Sequence, residues 1–154
     1  MVKRLIYLTM AVLLCVCASI KTSRKNIAVI EFEGKNVLSN EASIVSDSLR
    51  TAFVKSGNYN VIDKSNMDEI LLEQKFQQSS CTDISCAVKI GRILNVKKMV
   101  LGTLSKINDD YQISAKMVDV ETGRIDISDD IDFSGISFSK IKYNSRKLVI
   151  WRSI

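Results

Sequence analysis

Two cysteines with four residues between them, Cys81 and Cys86, are the side chains of this 154-residue sequence with the clearest chemistry. With Cys81 in a loop and Cys86 in the first turn of a helix, their Cα atoms can come within disulfide range. Such a bond would pin the helix start to the loop before it, and closing so small a loop contributes about 2 kcal/mol. A thiol redox pair is the alternative use. However, the CxxC spacing of thiol oxidoreductases is absent and the chain has no histidine to assist. A structural disulfide is therefore the expectation. A zinc site fails for want of further ligands, because the other two cysteines, Cys15 and Cys17, lie in a segment expected to be removed or lipidated.

Asp126, Asp129, Asp130 and Asp132 raise calcium as a second possibility. An EF-hand loop counted from Asp126 needs glycine at its sixth position and glutamate at its twelfth. Those positions hold Ile131 and Ser137. The expectation is instead a row of solvated acids on an exposed edge strand, where they discourage edge pairing. The lack of histidine also removes the commonest general base and metal ligand. No glycine-rich phosphate loop, serine elbow or pair of catalytic carboxylates is present. The reading is a protein without catalytic residues, cofactor or small-molecule substrate.

The elements that would carry these residues follow from periodicity. The apolar run Ile27 to Ile30, stopped at Gly34, predicts a buried first strand. Ala42, Val45, Leu49, Ala52 and Phe53 recur at helical spacing, with Ser39 or Asn40 as cap, Glu41 in the first turn and Gly57 as stop. Residues 59–63 read as a short second strand. A helix follows over about 66–76, with Ser65 to Asp68 resembling a capping box. Thr82 is the expected cap of a third helix striped by Ile84, Ala87, Val88, Gly91 and Leu94. Gly91 costs about 1 kcal/mol there, which implies close approach to another backbone. Strands over 99–107, 111–120 and 124–133 are joined by tight turns. The fold class is α/β (α+β): one domain over 27–135, with a mixed sheet of about five strands in the order β-α-β-α-α-β-β-β. Helices pack on the sheet, and the C-terminal strands form an antiparallel meander.

Charge is unevenly placed. The net charge is +5. Residues 136–154, a basic tail, carry Lys140, Lys142, Arg146, Lys147 and Arg152 and no acid, and the start of the chain carries Lys3 and Arg4. The middle is thus slightly acidic, which argues against a nucleic-acid partner. Lys3-Arg4 precede an uncharged run over residues 5–20, shorter than the about 20 apolar residues a membrane span needs. Residues 1–18 read as a signal peptide cut after Ala18, followed by a polar linker over 19–26. A lipoprotein signal at Cys15 or Cys17 competes, although Leu14 and Val16 stand where a lipobox has a small residue. Either route exports the domain.

The pieces VIDKSNMDEIL, CTDISCAVKIG and YQISAKMVDVETG, within residues 27–133, resemble exported bacterial proteins of the CsgG/HfaB type. Related domains occur in the N-terminal part of TolB and in LpoB-like activators of penicillin-binding proteins. The resemblance implies a periplasmic-facing or outer-membrane-associated domain that works through envelope proteins, with homo-oligomers as a further partner type. It also implies a membrane tether through the N-terminal segment. CsgG itself is an oligomeric pore, whereas the tight turns here leave no insertion for the strands of about 9–11 residues that would cross a bilayer. The expected function is a secretion or assembly accessory of CsgG type. The alternatives are a regulator of a cell-wall synthase and a periplasmic thiol redox protein.

Overall fold

In the computed structural model of the chain, residues 24–75 and 81–134 are described, together with Ser139 and Tyr143. The expected signal, the lipidation candidates Cys15 and Cys17, the cleavage site after Ala18 and nearly all of the basic tail lie outside the described residues.

β4 (Lys98–Ile107) is the centre of the structure. It pairs in parallel with β1 (Lys25–Val29) and with β2 (Glu33–Lys35), and antiparallel with β5 (Asp110–Asp119). β3 (Tyr59–Val61) lies outside β1, and β6 (Ile125–Ser134) lies outside β5. The sheet order is β3-β1-β4-β5-β6, with β2 continuing the line of β1 along β4. This is the mixed sheet with an antiparallel C-terminal meander that the sequence predicts.

The first strand is interrupted. Residues expected to form one strand up to Gly34 make two, β1 and β2, and the sheet has six strands. The interruption is stabilised from the helix above it. The Phe32 N–H donates to Ser46 Oγ at 2.9 Å, and Arg50 donates twice to the Val29 carbonyl, at 3.1 and 2.9 Å. Backbone groups released from the ladder thus find partners on α1 (Ser39–Ser56).

Helices cover both faces. Ala42, Val45, Leu49, Ala52 and Phe53 of α1 join Ile27, Val29, Val100 and Leu104 in one apolar cluster. On the other face, Met67 and Leu71 of α2 (Lys64–Glu73) and Ala87 and Ile90 of α3 (Ile84–Ile93) join Ala28, Ile30, Met99, Leu101 and Val118. Alternating strand residues feed the two clusters, as the pleat requires.

The caps differ from expectation by one or two residues. α1 begins after Leu38, whose N–H donates to the Glu41 carboxylate at 3.0 Å. Asp63, not Ser65, caps α2, and Asp83, not Thr82, caps α3. A carboxylate accepts helix-end N–H groups more strongly than a hydroxyl and also meets the positive end of the helix dipole. Gly91 packs against side chains, not backbone: a Cβ there would lie 2.5 Å from Val120 and 2.8 Å from Met99.

Candidate functional site

Cys81 and Cys86 are joined in a disulfide, with Cα atoms 6.0 Å apart. Asp83, between them, accepts from the Cys86 N–H at 3.3 Å and from the Ser85 hydroxyl. The Ser85 hydroxyl first, and then the N–H groups of the turn, hold the Asp83 pKa below the ordinary aspartate value. Cys81 is only 3% exposed and belongs to the cluster beneath α2 and α3. Its burial suits a tie between loop and helix.

The acids of β6 do not act together. A β-bulge between Met117 and Val118 of β5 leaves Asp126 as the extra residue on β6. Asp126 and Asp119 both accept from the buried Lys98 ammonium, Asp119 at 2.6 Å. Burial opposes the Lys98 charge, but the two carboxylates outweigh it and raise its pKa. Lys98 first, and then the N–H and hydroxyl of Thr122, hold the Asp119 pKa far below the usual carboxylate range. Asp132 instead accepts from Gln112 at 3.0 Å, and Asp129 lies opposite Ala115. Among the described residues no group of three or more acids, cysteines or histidines could hold a metal ion.

A second polar node sits at the carboxyl end of β1. Arg50, 8% exposed, approaches Glu31 at 3.4 Å and pairs with Asp47, while Lys64 reaches Glu31 at 3.0 Å. Burial pushes the Glu31 pKa up. Ser43, Lys64 and Arg50 overcome that effect and leave it below the ordinary glutamate value. The node ties both helix layers to β1. No local pattern in the chain signals it, because its members are up to 33 positions apart.

The half of the sheet beyond α3 presents a polar surface. On that face the register aligns Lys35, Ser105, Gln112 and Asp132 in one row and Glu33, Thr103, Ser114 and Asp130 in the next. All of these are exposed or half-buried. Lys116 and Ser128 continue the surface. The result is a platform of hydroxyls, an amide and mixed charges. It suits many polar contacts. Ile107, 65% exposed, stands at its end.

The family of the curli production assembly/transport component CsgG matches residues 15–112. The chain belongs to the CsgG family. Among curated proteins none matches the sequence. Solved structures share the CsgG-family fold seen here at low identity. The C-terminal domain of LpoB from Escherichia coli is 18% identical and superposes with a TM-score of 0.61, covering 76% of this chain and 87% of that one. A lipoprotein from Neisseria meningitidis is 15% identical with a TM-score of 0.61, covering 84% and 99%. The PelC dodecamer from Paraburkholderia phytofirmans is 11% identical with a TM-score of 0.55, covering 82% and 85%.

Proposed function

We propose that this CsgG-family chain is an exported, non-catalytic envelope protein that works through protein contacts as a secretion or assembly accessory at the outer membrane. The observation that carries the reading is the family match over residues 15–112. The open polar platform on β2, β4, β5 and β6 is the surface offered to the partner. Export proceeds through residues 1–18, either by cleavage after Ala18 or by lipidation at Cys15 or Cys17, with 19–26 as linker. The joints from 98 to 134 are tight, β4 to β5 through residues 108–109 and β5 to β6 through residues 120–124, which favours an accessory over a pore subunit.

The likeness to the LpoB domain supports a second reading, regulation of a cell-wall synthase. Affinity capture from solubilised envelopes separates the two: recovery of secretion components supports the first, and recovery of a wall synthase supports the second. A strictly monomeric chain that captures neither would refute both. The intact mass of the native protein tests export. A mass starting at Ser19, or at Cys15 or Cys17 with acyl chains, fits the proposal, whereas a mass starting at Met1 would overturn it.

A further inference from the structure

The fold sorts charge along the strand axis. β1, β3 and β4 start at one end of the domain, where β5 ends and β6 begins. At that end Arg24, Lys25, Lys97 and Lys98 line a shallow cleft of about 600 Å³ together with Asp119 and Glu121. Lys55 in the last turn of α1, Arg92 in the last turn of α3 and Arg124 at the start of β6 lie at the same end. The acids there are partly committed: Asp119 and Asp126 bind Lys98, and Glu121 faces Lys97 at 3.9 Å. The excess is therefore cationic. The opposite end is acidic, with Glu33, Glu41, Asp63, Asp83, Asp109 and Asp132 against Lys35, Lys64 and Lys106.

The chain also enters the domain at the cationic end, through Arg24. The residues immediately before it include Lys21, and no acid occurs before Glu31. A tether through this segment, which the lipidation route proposed above would supply, would bring the cationic end to whatever surface holds the tether. From the sequence register alone, Cys17 and Arg24 are at most about 25 Å apart along an extended chain.

We infer that the domain end formed by the starts of β1, β3 and β4 lies against an anionic phospholipid surface, with the acidic end turned away. The inference rests on the exported reading for its setting and on the charge placement for its geometry. Each cation near such a surface strengthens binding about fivefold, and salt screens the effect. The polar platform would then stand side-on to the membrane, open to a partner in the same layer.

The test is sedimentation of the full chain with phosphatidylcholine vesicles and with vesicles that also contain phosphatidylglycerol. Binding should favour the anionic vesicles and weaken with salt. Replacing both exposed cations, Arg24→Gln with Lys25→Gln, should lower partition about 25-fold. The same change at Lys35 and Lys106, at the other end, should leave it unaltered. Loss of binding only on replacing Lys140, Lys142, Arg146 and Lys147 would overturn the assignment. So would displacement by inorganic phosphate at constant ionic strength, which would mark a free-anion site. A native mass starting at Met1 would refute the export reading alone, whatever the vesicles show.

Discussion

Gly102 offers a sharp test of the packing at the sheet centre. It sits inside β4 without a left-handed backbone, so local propensity favours its replacement. By backbone entropy alone, Gly102→Ala should stabilise the domain by about 0.5–1 kcal/mol. The structure predicts the opposite sign. A Cβ at this position would lie 2.1 Å from the Ser114 carbonyl oxygen and 2.5 and 2.7 Å from two atoms of the Phe32 ring. An ordinary carbon–oxygen contact is about 3.3 Å, so the oxygen contact alone demands roughly 1 Å of movement. The ring can turn, but the Ser114 carbonyl belongs to the neighbouring strand. Overpacking of this kind costs about 3 kcal/mol. Urea unfolding followed by circular dichroism should show a midpoint about 2 M lower, for a slope near 1.5 kcal/mol per molar. A Phe32→Leu background removes only the ring contacts. The penalty there should shrink by about 1 kcal/mol and not vanish. A midpoint equal to or above that of the parent would refute the close approach of β4 and β5 at Gly102.

Other expected outcomes follow from the nodes. Cys86→Ser should cost about 2 kcal/mol in urea unfolding and make stability indifferent to added reductant. Arg50→Met should cost about 2–3 kcal/mol in the same assay, because the Val29 carbonyl and Glu31 lose a buried charged donor. The Asp119 pKa lies below its reference of 3.8, so its contribution is complete above that value and is lost as pH falls through the folded value. Lys98→Met should therefore flatten the acid limb of urea midpoints measured against pH. Ser114→Arg, on the half-buried platform, should leave unfolding within about 0.5 kcal/mol of the parent yet abolish capture of the envelope partner; unchanged capture would move the partner to another surface.

The hydrophobic pattern carried the architecture well. Alternation in β5 places Ile113, Ala115 and Met117 in one cluster, and the helical stripe of α1 is the stripe the structure buries. Three features were not legible because they arise from distant residues. The break after Val29 depends on Ser46 and Arg50, about 14 to 21 positions away. Asp126 looked like its acidic neighbours until a bulge set it beside Lys98. The platform left no hydrophobic signature, since Thr103, Ser105 and Ser114 read as ordinary alternating polar positions. At Gly91, composition marked a close contact but could not name Val120 and Met99 as its partners.

The position of β4 also sets a timetable. β4 and β5 meet through a two-residue turn, so they can pair almost as soon as both exist. β1, by contrast, pairs Ile27 with Lys98, 71 positions later in the chain. Closing that gap costs entropy before any long-range contact repays it. A chain delivered amino end first can pair β1 with β3 early, Lys25 with Tyr59, but completes the shielding of Ile27 to Ile30 only when β4 arrives, with nearly two thirds of the sequence made. The C-terminal hairpin serves as the template on which the first-made strand is the late arrival.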